Sequence, residues 1–204
     1  MNIISNNCLG GFIYRDILKT EYKNPFIWSS FDPDNFIEFI DNYETINFDN
    51  YELFKLGPGM NHNFKLKIDD KYILNNDHMW FDANAKTPTV FQINNCDIKY
   101  CKIWEYIVNN YEKRLKRMKN EIKTVFIFYD HEKVCKSAYK LTDIFKRHKN
   151  YKGIAFTYQD IPIKQTDNLI ILPVKEEWNK PPAGWYPDFM YHYKNKLSEL
   201  LKNI

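Results

Sequence analysis

Short apolar runs separated by helical segments constrain the fold of this 204-residue chain more than any other feature. Residues 124–129 (TVFIFY) and 169–174 (LIILPV) are apolar at almost every position, which is typical of strands that helices cover on both faces. Helical and extended patterns alternate around these runs. The alternation predicts a three-layer α/β/α fold with a mainly parallel or mixed sheet, formed by residues 1–204 as a single domain.

Hydrophobic periodicity places the individual elements. Residues 43–97 lack helical periodicity and are rich in Asn and Asp, so we interpret them as an irregular insertion that contains β-strands. Asp69-Asp70 inside it has the composition of a turn. The pattern predicts helices over 12–20, 33–42, 98–119, 132–146 and 188–202, and strands over 3–5, 51–56, 64–68, 72–74, 124–129, 154–157 and 169–172.

Composition limits the partners and the compartment. The chain has 29 basic and 26 acidic residues, which is too balanced a charge to require nucleic acid. No run of about 18 apolar residues is present, so we expect no membrane span, and the first residues do not read as a signal peptide. We therefore expect a cytoplasmic protein with reduced cysteines. Cys101 and Cys135 fall in helical patterns and are predicted to be small core residues.

Residues 113–119 (KRLKRMK) carry five basic side chains. One interpretation is a solvated helix face, and the alternative is an anion site in which Arg114, Lys116 and Arg117 receive phosphates. Glycine-rich phosphate-binding motifs are absent. The pair Asp32 and Asp34 opens a helix, so capping explains it better than a metal site does, and no metal is evident.

The segment that can carry chemistry is residues 6–11 (NNCLGG), which connects the first strand to a helix. A helix start stabilises a thiolate, the form in which Cys8 would attack an ester or thioester. Gly10 and Gly11 would let a ligand approach the backbone, and Asn6 and Asn7 would donate hydrogen bonds to an oxyanion. The alternative is a plain turn with a buried thiol.

A thiol nucleophile needs a base, and the chain has five histidines. His78 and His62 lie in the irregular region, and we rank His78 first because Asp77 and aromatic residues adjoin it. His131 and His148 are expected on the solvated surface. The aromatic residues Tyr14, Trp28 and Trp80 are further candidates for contact with a substrate, with packing as the alternative.

Residues 3–14 (IISNNCLGGFIY) resemble the opening signature of a family whose members are described as exopolysaccharide-biosynthesis proteins or acetyltransferases. The resemblance continues through 24–28 and 34–39, and implies a three-layer α/β fold and a role in surface-glycan assembly. Residues 25–28 (PFIW) also resemble an element of papain-like cysteine peptidases, although Ile27 stands where that family has an acidic residue.

Four functions follow from the motif and the resemblance. The first is an acyltransferase that takes an acyl group from acetyl-CoA or another acyl-CoA and transfers it to a sugar or nucleotide sugar. The second is a glycosyltransferase of the same pathway that uses a nucleotide sugar. The third is a cysteine-dependent hydrolase, and the fourth is a non-catalytic module. We expect a small-molecule substrate, and the oligomeric state stays open.

Overall fold

The computed structural model describes residues 1–27, 29–55, 64–76, 102–130, 135–158, 163–175, 178 and 189–204. Two four-stranded sheets form within these residues. The strands are β1 (Asn2–Ser5), β2 (Ser29–Phe31), β3 (Tyr51–Lys55), β4 (Phe64–Ile68), β5 (Tyr72–Asn76), β6 (Thr124–Tyr129), β7 (Lys152–Thr157) and β8 (Leu169–Pro173). The α-helices are α1 (Leu9–Phe12), α2 (Pro33–Asn42), α3 (Lys102–Lys119), α4 (Leu141–Arg147) and α5 (Phe189–Asn203).

The first sheet is entirely parallel, in the order β1-β6-β7-β8. Its side chains alternate between two apolar layers, as the period of a strand requires. Val125 and Ile127 of β6 pack with α1 and α5 on one face, whereas Phe126 and Phe128 pack with α2, α3 and α4 on the other. The predicted α/β/α layering is therefore confirmed, and the apolar composition of β6 follows from its burial on both faces.

The second sheet is antiparallel, in the order β2-β5-β4-β3. Strands β3 to β5 lie in the region predicted to be a β-containing insertion, and their bounds agree with the prediction to within two residues. Asp69 and Asp70 form the predicted turn with positive φ of 52° and 53°. Leu53, Leu66 and Leu74 pack into the same core cluster as Phe126, so the two sheets share one apolar layer.

Helix α2 has the bounds that the sequence predicted, and its start has a local cause. Asp32 accepts a hydrogen bond from the backbone N–H of Asn35 at 3.0 Å, and Pro33 occupies the first helical position. Such a cap satisfies one of the four backbone donors that a helix start leaves open. The capping interpretation of Asp32 is therefore confirmed.

Three predictions about local structure are corrected. The helix expected over 12–20 is a four-residue α1 that continues as a π-helical turn, Ile13–Leu18. The helix expected over 132–146 begins at Leu141, after a 3₁₀ turn at Ala138–Lys140. Cys135 is half-buried and precedes both elements, so it is not the helical core residue that the pattern indicated.

Candidate functional site

The turn after β1 is closed by Ser5. Its Oγ accepts a hydrogen bond from the backbone N–H of Gly10 at 2.9 Å and donates one to the carbonyl of Asn7. A Cβ on Gly10 would lie 2.9 Å from the same Oγ, which is closer than side chains pack. The approach of Ser5 therefore requires glycine at position 10, which is a role inside the protein.

Asn6 continues the pairing of β1 with β6 through its side chain. Its Nδ2 donates to the carbonyl of Tyr129 at 2.8 Å, and its Oδ1 accepts from the N–H of Tyr129 at 2.9 Å. Asn6 is only 3% exposed. Both ends of the carboxamide are thus bonded to the backbone of Tyr129, and in this conformation Asn6 acts as a clamp between β1 and β6.

Asn7 and the carbonyl of Cys8 hold the start of α1. The Oδ1 of Asn7 accepts from the N–H of Leu9 at 3.1 Å, and the Cys8 carbonyl accepts from Gly11 and Phe12 at 3.1 and 3.3 Å. The backbone N–H groups of residues 9–12 therefore all have partners within the turn, Gly11 included.

Cys8 is half-buried in this bonded turn and packs against the core beneath α1 and α5. It lies just beyond the end of β1, at the edge of the parallel sheet where the strands end, which we call the carboxyl edge. Open α/β sheets bind ligands at this edge. The structure therefore places the predicted nucleophile where this kind of fold presents functional groups.

Asp130 is a second group at the carboxyl edge, and it is not among the site residues predicted from the sequence. It follows β6 directly, is 1% exposed, and its Oδ2 accepts a hydrogen bond from the N–H of Cys135 at 2.8 Å. Its neighbour Tyr129 is the residue that Asn6 clamps. A carboxylate immediately after an almost entirely apolar strand was the available signal, since few carboxylates are buried without a specific reason.

Asp34, at the start of α2, binds residues 135–137, which lie a few positions after Asp130. Its carboxylate accepts from the backbone N–H of Ser137 at 2.7 Å, from the hydroxyl of Ser137, and from the thiol of Cys135 at 3.4 Å. Burial acts to raise the pKa of Asp34, but these hydrogen bonds outweigh it and lower that pKa. Burial and the adjacent Asp34 carboxylate raise the pKa of Cys135 to about 12, so its thiol is a poor nucleophile near neutral pH.

Tyr14, predicted to contact a substrate, is completely buried. Its hydroxyl donates to the carbonyl of Met1 at 2.9 Å and accepts from the N–H of Ile3 at 3.0 Å. Asn24 donates to the carbonyl of Ile3 at 2.8 Å. These bonds satisfy backbone groups on the free side of β1, an edge strand, so Tyr14 protects the edge of the sheet in this conformation.

Arg114 and Arg117 lie far along the sheet from Cys8. Arg117 forms an ion pair with Glu21 at 2.7 Å and donates to the carbonyl of Tyr22 at 3.2 Å. Arg114 is 3% exposed, with its guanidinium 5.3 Å from the centre of the Tyr22 ring. This end of α3 contacts Asn2, at the start of β1. The arginines therefore belong to the opposite edge of the sheet, and the structure does not bring them to Cys8.

His62, His78, Trp28 and Trp80 lie outside the described residues, as do His131 and Cys101. Two other histidines are described. The ring of His148 stacks on Tyr151 at 4.5 Å, and its Nε2 lies 3.2 Å from Asp41. His192 is exposed and stacks on Trp178 at 4.2 Å.

Fold and site together define a three-layer α/β protein with a structured cysteine turn at the carboxyl edge of a parallel sheet. Comparison with protein families, with curated proteins and with solved structures finds no significant match to the chain. In the part of the chain that is described, no helix is long and apolar enough to span a bilayer. Within the same residues, no group of three or more His, Cys, Asp or Glu side chains is arranged to hold a metal ion.

Proposed function

We propose that the protein is a cysteine-dependent acyltransferase, with Cys8 as the nucleophile. One observation carries the proposal: Cys8 is a half-buried thiol in a turn whose flanking groups are fixed by hydrogen bonds, at the carboxyl edge of the sheet. Rigid support of this kind holds a nucleophile in one geometry, which favours attack on a bound substrate. The other described cysteine, Cys135, is held as an unreactive thiol.

The reaction takes place in two balanced steps. The Cys8 sulfur attacks the carbonyl carbon of an acyl-CoA, its proton passes to a base, and the C–S bond to coenzyme A breaks as that thiol takes up a proton. A sugar hydroxyl then attacks the acyl-cysteine and loses its proton to the base. The C–S bond to Cys8 breaks, the acyl-sugar is released, and the base returns the proton to the Cys8 sulfur. His78, or else His62, is the base that the sequence predicts for both transfers.

The acceptor class rests on the resemblance of residues 3–14 to surface-glycan biosynthesis proteins. It predicts that the hydroxyl belongs to a sugar or nucleotide sugar. The cytoplasmic location expected from the sequence would give the reaction access to acyl-CoA. Asn6 and Tyr14 enter this proposal as supports of the turn and of β1, because their side chains are bonded to the backbone.

The test is transfer of labelled acetyl groups by the purified full chain, followed by intact and peptide mass spectrometry. We expect one acetyl group on Cys8 before acceptor is added, and its passage to a sugar from a panel of sugars and nucleotide sugars afterwards. Cys8→Ala should lower the rate of transfer at least about 100-fold. Cys135→Ala is the matched control and should transfer at the wild-type rate.

Each alternative function has its own outcome in this assay. Release of free acid without acyl-sugar would indicate a thiol hydrolase. Undiminished transfer of a sugar from a nucleotide sugar by Cys8→Ala would indicate a glycosyltransferase. Absence of any label on Cys8 together with absence of acylated product across the panel would refute the proposal.

A further inference from the structure

A groove with a volume of 540 Å³ lies between the second half of α3 and the start of β3. Tyr51 and the buried Leu115 supply apolar surface within it. Glu112, Lys116 and Asn120 also line it. Glu112 and Lys116 are four residues apart and so lie on one face of α3, and Asn120 follows the last residue of that helix. The groove is distinct from the Cys8 turn, because this end of α3 lies at the opposite edge of the parallel sheet.

The ring of Tyr51 is held in place. It packs on the buried Tyr111 with ring centres 4.2 Å apart, and its hydroxyl donates to Oε1 of Glu112 at 3.1 Å. Burial and the Glu112 carboxylate raise the pKa of Tyr51 to about 12, so the hydroxyl keeps its proton at neutral pH. Tyr51 therefore offers a fixed, half-exposed aromatic surface, which is a preorganised contact for an apolar ligand face.

Among the described residues that line the groove, the acidic and basic side chains are equal in number. Lys119 bonds both carboxylate oxygens of Asp49 at 2.7 and 2.6 Å, so these two groups neutralise each other. Glu112 and Lys116 carry the remaining two charges and lie one helical turn apart. Among the described residues Lys116 has no ion-pair partner, and its three N–H donors are available to a ligand.

We infer that this groove binds a neutral saccharide, one or two sugar rings in size. A pyranose has an apolar face that matches the Tyr51 ring, and its hydroxyls both donate and accept, which suits a wall of ammonium, carboxylate and amide groups. Balanced charge gives no net attraction for a phosphate or a metal cation. A volume of 540 Å³ lies within the range of small-molecule sites.

The inference concerns binding at a site other than Cys8 and does not depend on the proposed acyl transfer. Isothermal titration and saturation-transfer NMR on the full chain, with a panel of neutral mono- and disaccharides, test it directly. We expect saturable binding by at least one sugar. Lys116→Ala should weaken that binding about tenfold, since a charge-assisted hydrogen bond is lost. Tyr51→Ala should weaken it further, whereas Tyr51→Phe keeps the ring and should retain most of the affinity.

The controls separate this site from the rest of the molecule. Lys196→Ala removes an exposed lysine of α5 and should bind as the wild type does. Cys8→Ala should also bind sugar normally, so failure of the acyltransferase proposal leaves this test intact. Tyr51→Ala also loses the contact with Tyr111 and could unfold for that reason. In that case Lys116→Ala, which changes an exposed side chain, provides the test. No saturable binding by any sugar, equal affinity for Lys116→Ala and wild type, or displacement of the sugar by inorganic phosphate would overturn the inference.

Discussion

Replacing Asn6 by alanine tests whether its side chain is a clamp or an oxyanion donor. The carboxamide makes two hydrogen bonds to the backbone of Tyr129, at 2.8 and 2.9 Å, and the two residues are 3% and 2% exposed. Alanine removes both bonds and leaves a backbone N–H and a carbonyl without partners in a place that water does not reach. A clamp therefore predicts a loss of stability, whereas an oxyanion donor predicts a loss of rate alone.

The expected loss follows from the number of groups exposed by the change. Each buried backbone group left unsatisfied costs about 1–3 kcal/mol. Asn7 Nδ2 lies 3.5 Å from the carbonyl of Tyr129 and would offset part of the cost for that group. We therefore expect Asn6→Ala to lower the free energy of unfolding by about 2–4 kcal/mol, a large share of the roughly 5–15 kcal/mol of a typical domain.

Urea unfolding of the full chain, followed by tryptophan fluorescence and circular dichroism, measures this loss as a lower midpoint at an unchanged m-value. Asn7→Ala is the matched control, because it removes a half-buried bond to the N–H of Leu9 and should cost about 0.5–1.5 kcal/mol. The clamp is refuted if Asn6→Ala costs less than about 1 kcal/mol or no more than Asn7→Ala. A stable Asn6→Ala variant with a slow transfer rate would return Asn6 to the oxyanion role.

Three further predictions concern Gly153, Asp34 and Cys135. A Cβ on Gly153 would lie 2.3 Å from Cζ of Phe145, which is buried. Gly153→Ala should therefore lower the free energy of unfolding in urea by about 2–3 kcal/mol. A loss below about 0.5 kcal/mol would contradict this packing. Hydrogen bonds outweigh burial and hold the pKa of Asp34 below its ordinary value of 3.8, so the stability it contributes is present above about pH 4 and is lost as the pH falls through its folded pKa. The difference in unfolding free energy between wild type and Asp34→Asn should thus vanish in acid, and a difference that stays constant from neutral pH to about pH 2 would show that ionisation of Asp34 is irrelevant. The pKa of Cys135 is raised to about 12, so iodoacetamide at about pH 8 should leave this thiol unmodified in the folded chain. Peptide mass mapping measures the modification. Modification of the folded chain at the rate seen in urea would contradict this prediction.

Local signals were sufficient where an element is long or capped. The bounds of α2 follow from its cap at Asp32 and the apolar spacing behind it, and β6 is recognisable because every side chain on it after Thr124 is apolar or aromatic. Strand β2 was missed because three residues show no period, and its strand form depends on pairing with β5. The start of α4 was misplaced because Asp34, about a hundred residues earlier, binds the backbone of residues 136 and 137 and sets where the helix begins.

The candidate site shows the same division. A turn containing Cys8 at the end of β1 could be predicted, because Asn and Gly favour turns and the strand ends there. The partners of the polar side chains in this turn could not be predicted. Tyr129 is 123 residues from Asn6 and contacts it only because β1 and β6 pair in a parallel register. The basic segment of α3 is likewise a set of charges in the sequence, and the fold pairs Arg117 with Glu21 and Lys119 with Asp49.

The sequence by itself therefore determined the class of fold and the position of the cysteine turn, since hydrophobic period, caps and turn residues act over a few neighbouring positions. Only the tertiary structure decided which polar groups are engaged and which face outward. Asn6, Tyr14 and Arg117 looked available in the sequence, yet each is bonded to distant backbone or to a distant acid. Those partners are fixed by sheet register and by helix packing, and neither is encoded in the residues that lie next to them along the chain.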